Sequence, residues 1–408
     1  MAGWGASDDH RAENRSRRSL IAFPMAAPRS VRLCFVAGIA AVFEVSGSAH
    51  AQQQPAEIPS LWRFDLTTGI GYDNNLRFRP VMESAVSGRL RAGLTRLLRS
   101  PRTNVSLGAT GEGSVHRPLR EYNGVNYSSD LTASYLVSPR TTLRIGDSFS
   151  KSYTSDSRVL IDAGLFLPRT VARSNNASIE ASRDISPRWT WSVLAEHTVV
   201  HFESNLLINE SSFRARADLS RQSLSASRIG LNYQLGHTDR RLLADSDSHR
   251  LALWGQHRFG EKVSVRLDVG ASKLLSQGSD AGRVIPGWSA QFDVRSPKQT
   301  FSATMIHSLS EAFGLGRLQV RSAASVRFAR TLTPRLTAGV NGTLSRSEDP
   351  GRDRSRTFET KSVDGDFGFR FAQNVEISLA GGYRKRDSGV ESAQSRFATL
   401  TIKVGQNW

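Results

Sequence analysis

The chain has 408 residues, with 54 basic and 37 acidic side chains, one cysteine and a mean hydropathy of −0.35. One cysteine excludes an internal disulfide and any cysteine-ligated metal cluster. The formal charge of +17 raises nucleic acid as a partner, but no patch of arginines interleaved with aromatics is present, and the start of the chain argues for export instead.

Residues 1–51 read as a cleaved signal peptide. Arg29 and Arg32 precede an apolar run from Leu33 to Phe43, and Ala49-His50-Ala51 supplies the small-x-small pattern of a processing site, so cleavage is expected before Gln52. The run falls short of the about 20 residues that a spanning helix needs, and Glu44 closes it, which disfavours a permanent anchor. The polar stretch before Met25 is atypical of such a signal and leaves Met25 as an alternative start. Cys34 lies inside this segment without the small residue before it that a lipoprotein signal carries, so the mature chain has no cysteine, which suits an oxidising compartment. Removing the six basic and four acidic residues before Gln52 leaves roughly +15.

Residues 52–61 form a short lead-in to one domain, residues 62–408. No long apolar run follows residue 51, which excludes transmembrane helices but not transmembrane strands, where only every second residue meets lipid. Apolar residues do recur at period 2. Trp62, Phe64, Leu66, Ile70 and Tyr72 share one face of the first segment, and Arg63, Asp65 and Asp73 the other. The same alternation holds at Ile229/Leu231/Tyr233/Leu235, Val263/Val265/Leu267/Val269 and Val375/Ile377/Leu379. About eighteen strands result.

The joins alternate in kind. Ser100-Pro101-Arg102, Ser138-Pro139-Arg140, Ser186-Pro187-Arg188, Ser296-Pro297-Lys298 and Thr333-Pro334-Arg335, with Arg221-Gln222-Ser223, Gly260-Glu261-Lys262 and Ala372-Gln373-Asn374, fall at every second join. Proline presets the turn and lacks the N–H that a ladder needs. The joins between are longer, that from Ser155 to Arg173 the longest. Short turns at one end and long loops at the other predict an all-β, antiparallel, up-and-down transmembrane barrel, with turns in the periplasm and loops outside. A β-sandwich or solenoid also repeats its turns, but neither sorts short and long joins to two ends so regularly. The last segment puts Ala398, Leu400, Ile402, Val404 and Trp408 on one face, and pairing it with the first would remove both sheet edges.

These features resemble the Gram-negative outer-membrane β-barrel proteins. The resemblance implies outer-membrane localisation, contact with lipid and lipopolysaccharide, and dependence on the secretion and barrel-assembly machinery, with Leu400, Ile402, Val404 and Trp408 as the C-terminal insertion signal. That class usually ends in Phe, whereas this chain ends in Trp408. The segment from Gly69 to Phe78, "GIGYDNNLRF", is similar to one near the start of porin-like barrels, some of which accompany surface-polysaccharide systems. Within this reading the barrel is a pore for small or anionic solutes or a surface polysaccharide; the alternative is a non-conducting structural or adhesive surface protein whose lumen is blocked. The oligomeric state is not legible.

No catalytic constellation is apparent, and no cofactor or metal is implied. His197 and His201 have the spacing of a helical zinc site, but on a strand they stand about 13 Å apart. Asp73-Asn74-Asn75 offers calcium-type oxygens, though a turn is the simpler use. Taking the apolar register as outward, Arg89, Arg91, Arg214, Arg216, Arg250, Arg266, Arg321 and Arg327 point inward and are the candidate pore-lining residues. The plainer alternative is that these charges pair across strands and stiffen the wall. The central segment breaks the pattern: Asp147 and Lys151 share the face of Leu143, Ile145 and Phe149, so a register-switching bulge or an interfacial position is expected there.

Overall fold

A computed structural model describes residues 61–77, 80–154, 169–240, 245–276, 282–312, 315, 317–348, 357–387 and 392–407. Residues 1–51, where the signal peptide is expected, residues 52–60, residues 155–168 of the longest join, and Trp408 lie outside the described residues.

Alternation at period 2 leaves each segment one oily and one polar face, and a sheet closed on itself buries neither at an edge. Eighteen strands form in chain order: β1 (Leu61–Asp73), β2 (Ala85–Arg99), β3 (Thr103–Arg117), β4 (Gly124–Ser138), β5 (Thr141–Tyr153), β6 (Val171–Ser186), β7 (Trp189–Phe202), β8 (Glu210–Leu224) and β9 (Ser227–Arg240). They continue as β10 (Ser246–Phe259), β11 (Val263–Ser276), β12 (Val284–Arg295), β13 (Gln299–Ala312), β14 (Arg317–Thr333), β15 (Leu336–Glu348), β16 (Phe358–Ala372), β17 (Val375–Asp387) and β18 (Ser392–Asn407). Each pairs antiparallel with its neighbours in the chain, and β1 pairs with both β2 and β18, which closes the barrel. At the usual strand spacing and tilt, eighteen strands give a backbone diameter of about 35 Å.

The short turns cluster at one end, as the proline pattern predicts. The hydroxyl before each proline accepts turn N–H groups: Ser100 Oγ from Thr103 N at 3.0 Å, Ser186 Oγ from Arg188 N at 3.3 Å and Trp189 N at 3.2 Å, and Thr333 Oγ1 from Leu336 N at 3.1 Å. The carbonyl of the third turn residue then accepts from the next hairpin, as with Arg140 from Asp184 N at 2.9 Å and Arg188 from Gln222 N at 2.7 Å. Just before several turns the register slips, at Asp184/Ser186, Thr331/Thr333 and Arg370/Ala372. The bulged residues Ile185, Leu332 and Phe371 are exposed apolar side chains. One expected turn is displaced: β8 runs on to Leu224 and turns at Ser225-Ala226 rather than at Arg221 to Ser223. No proline or glycine marks that position, and Gln222 still pairs with Arg228 across the hairpin. Gly260 supplies the φ of +68° that the β10–β11 turn needs.

The loop end of the closing seam is sewn by the Asp73-Asn74-Asn75 segment. Asn75 Nδ2 donates to Gln394 O at 2.8 Å, Asn74 Oδ1 accepts from Arg396 N at 2.7 Å, and Ser395 Oγ donates to Asp73 Oδ1 at 2.7 Å, while Asp73 also accepts from Asn75 N at 2.8 Å. Asn75 is 1% exposed. Their polar atoms bind β18. Nearby, Arg77 joins Glu83 at 2.8 Å and also Glu121, whose carboxyl that hydrogen bond holds below its ordinary range, tying the first loop to the turn before β4.

The expected bulge in β5 is not there. Thr141 to Tyr153 stay in unbroken register with β6, and the one slip against β4 lies at the turn, between Leu136 and Ser138. Asp147, the central residue of β5, therefore stays on the outward face. What makes this tolerable is Asn175 of β6, also outward, whose Nδ2 donates to Asp147 Oδ1 at 3.1 Å. Lys151 lies over the Tyr127 ring at 5.6 Å. Trp62 under Arg96 at 5.0 Å and Trp189 under Arg221 at 5.6 Å mark the turn-side interface on the same outer wall.

Replacing Asn75 with Ala is expected to cost about 1–3 kcal/mol, the range for a buried hydrogen bond left with one partner. Urea unfolding from lipid vesicles reads this, with strand content by circular dichroism unchanged in the folded state. Asn175→Leu should destabilise by about 1 kcal/mol by stranding Asp147, whereas the double exchange Asp147→Leu with Asn175→Leu should exceed the parent in stability. A double variant weaker than either single would contradict the outward placement.

Candidate functional site

The inner wall is the candidate site. Register decides which residues face it, because the outward set is fixed by exposed apolar side chains such as Ile70, Leu90, Leu94, Leu231, Leu253 and Val269, and neighbours in each strand must point the other way. All eight arginines expected at the lumen fall in the inward register. They do not form one patch. Arg89 and Arg91 on β2 stand six strands from Arg214 and Arg216 on β8, about 29 Å along the wall.

Their surroundings differ. Arg89 lies toward the loop end, lining a recess of about 110 Å³ with Asp73, His116 and Arg384. Arg91 sits opposite Glu112 in register without an ion pair among the described residues. Arg214 is bonded to Glu196 at 3.1 Å, and Glu196 also accepts from Asn176 at 2.7 Å. Arg216 and Arg327 are exposed in the lumen and make no ion pair among the described residues. Arg321 is half-buried on β14. The sequence pattern ranks the four arginines of β2 and β8 together; the fold splits them, because Glu196 lies on a different strand and its approach to Arg214 depends on register.

A second group, which sequence reasoning did not assemble, spans β8 to β11. Trp254 Nε1 donates to Asp218 Oδ2 at 2.8 Å, reaching over β9, and Arg266 stacks on the Trp254 ring at 4.5 Å. Arg250 pairs with Asp268, which is 7% exposed, and Asn232 donates to Asp268 at 3.5 Å. Contact between alternate strands is possible because the inner face is concave and because β9 presents Gly230 there. A Cβ at Gly230 would stand 2.5 Å from the indole. Arg144 and Glu180, at 3.2 Å, make a further wall pair. Stiffening by paired charge is thus the arrangement at Arg144, Arg214 and Arg250, and not at Arg89, Arg91, Arg216 or Arg327.

His197 faces outward and bonds Ser211 Oγ at 3.0 Å, and on the same strand it stands about 13 Å from His201. Among the described residues no group of three or more metal-ligating side chains comes together. Leu400, Ile402 and Val404 are exposed on the outer wall, opposite Ile70, Thr68 and Leu66 of β1.

A closed up-and-down barrel with short turns at one end and an apolar outer wall is the architecture of Gram-negative outer-membrane proteins. The chain is an outer-membrane β-barrel. No family model matches it, and no curated protein matches it. Solved structures that resemble it include OpdL of Pseudomonas aeruginosa, at 13% identity over 86% of this chain and 99% of that one, with a TM-score of 0.45. OccAB4 of Acinetobacter baumannii is similar at 11% identity over 87% and 100%, TM-score 0.47. The outer membrane protein OpdK of Pseudomonas aeruginosa is similar at 12% identity over 85% and 99%, TM-score 0.47. A likeness at this level transfers no residue, solute or gating device to this chain.

Gly230→Ala should displace the Trp254 ring, break its bond to Asp218 and lower stability by about 1–3 kcal/mol, as overpacking does. Acrylamide quenching, compared with a Trp254→Phe control, should rise for the residue at 254.

Proposed function

We propose that the barrel is an open pore for small solutes with a preference for anions. The observation that carries it is the exposure of Arg89, Arg91, Arg216 and Arg327 on the inner face of a closed wall, without ion pairs among the described residues. An unpaired guanidinium enclosed by a barrel needs water around it. A water-filled lumen with basic lining favours anions, because low-dielectric walls focus the field. Asp65, Glu112, Asp130 and Asp218 temper that field and set the preference below that of a purely basic channel. A surface-polysaccharide cargo gains no support from the Gly69–Phe78 segment, since Asp73, Asn74 and Asn75 within it are used in closing the seam.

Planar-bilayer recordings test this. Arg89→Gln with Arg91→Gln is expected to lower the anion-to-cation permeability ratio, and adding Arg214→Gln and Arg216→Gln to lower it further through Arg216 more than through the already paired Arg214. Absence of current under every voltage and salt condition would instead make the chain a structural or adhesive surface barrel.

A further inference from the structure

The distribution of charge along the barrel axis is uneven, and this carries an inference that rests on the pore reading and deepens it. Inward arginines stand at or near the turn-side ends of six strands: Arg63 on β1, Arg99 on β2, Arg228 on β9, Arg258 on β10, Arg295 on β12 and Arg370 on β16. All six are exposed, and none has an ion-pair partner among the described residues. The wall pairs Arg214–Glu196 and Arg250–Asp268 lie deeper, and the pair Arg144–Glu180 stands just inside the collar.

The turns extend the same charge. Arg102, Arg140, Arg188, Lys262, Lys298 and Arg335 sit at the turn tips, exposed and likewise without ion pairs among the described residues. Where β4 to β9 lack an inward arginine in the last layer until Arg228, two of these tips fill in. Arg140, Arg188 and Arg228 surround a recess of about 310 Å³ together with Ser186, Thr190 and Gln222, with one carboxylate, Asp184, also in its wall. The acids at this mouth are few. Asp184 accepts from Thr190 Oγ1 at 2.7 Å, and Glu261, Asp293 and Glu376 leave the arginines in excess.

We propose that this basic collar at the turn-side mouth adds a direction-dependent preference for anions to that of the wall, and that the recess among Arg140, Arg188 and Arg228 is where small carboxylate or phosphate solutes pause at that mouth. The physical ground is screening. With side chains reaching inward from a backbone about 35 Å across, the axis lies about 10 Å from the guanidinium groups. That is one Debye length at 0.1 M salt and three at 1 M. The collar therefore acts on passing ions only when the solution on its own side is dilute. Charges in the middle of the wall meet both solutions alike.

The test is the reversal potential of single oriented pores in potassium chloride, 0.1 M against 1 M, with the gradient applied in each direction. The mature chain has no cysteine, so Asn205→Cys in the β7–β8 join, labelled by a membrane-impermeant maleimide from one chamber, reports which side the loops face. The expected result is a chloride-to-potassium permeability ratio about twofold or more larger with the dilute solution on the turn side. Arg228→Gln, Arg258→Gln, Arg295→Gln and Arg370→Gln together should reduce the difference, while Arg89→Gln with Arg91→Gln should lower both ratios and keep it. Added inorganic phosphate should reduce chloride current from the turn side only, and Arg140→Gln with Arg188→Gln should remove that effect. Equal ratios in the two directions for the unaltered protein, which needs no variant to fold, would overturn the collar while leaving the pore intact. A difference left unchanged by the fourfold exchange would also overturn it. No current at all would remove the pore reading and the collar with it.

Discussion

Pairing of the last strand with the first is the constraint on which everything else here depends. In a bilayer no water is available to an unpaired peptide group, so a sheet that spans it must have no edge. β1 is held on one side by β2 and on the other by β18, from Asp73↔Phe397 down to Arg63↔Asn407. The Asp73-Asn74-Asn75 segment locks that seam by hydrogen bonds that join residues more than 300 positions apart in the chain. Closure then sets the diameter, and the diameter decides whether the inward side chains meet across the lumen or stand in water.

In an open pore they stand in water, and this shapes the energetics of the wall. Partners are found sideways, on the next strand or the one beyond, as with Glu196 and Arg214 or Trp254 and Asp218. Such pairs are partly solvated and contribute modestly to stability. The larger effect of the ion pairs among them is on the field: each neutralises an arginine that the alternation alone would count as free. The net potential in the lumen thus comes from cations that make no such pair among the described residues, such as Arg327, which lies between Ser302 and Asn341.

The outer wall obeys the converse rule, that a polar group facing lipid must bring its partner with it. Asp147 has Asn175, His197 has Ser211, His307 has Ser322 at 2.8 Å and stacks on Trp288, and Arg173 pairs with Glu203 at 2.8 Å. The partner sits on the adjacent strand in most cases, so the wall stays unbroken and no bulge is needed to turn the side chain away.

Much of this architecture was legible in the amino-acid order. Period-2 alternation identified strands, the Ser-Pro-Arg turns separated the two ends, and the count of eighteen followed, because these are properties of consecutive residues. The inward register of Arg89, Arg91, Arg250, Arg266 and Arg327 followed for the same reason. The Ser225-Ala226 turn escaped, since neither proline nor glycine marks it. What only the tertiary structure decided is who stands beside whom across strands: that Glu196 neutralises Arg214, that Asn175 shelters Asp147, that Gly230 lets Trp254 reach Asp218, and that Asn74 and Asn75 bind a strand from the far end of the chain. Alternation gives each residue its face but says nothing of its neighbour's height, which depends on register and on the curvature that closure imposes.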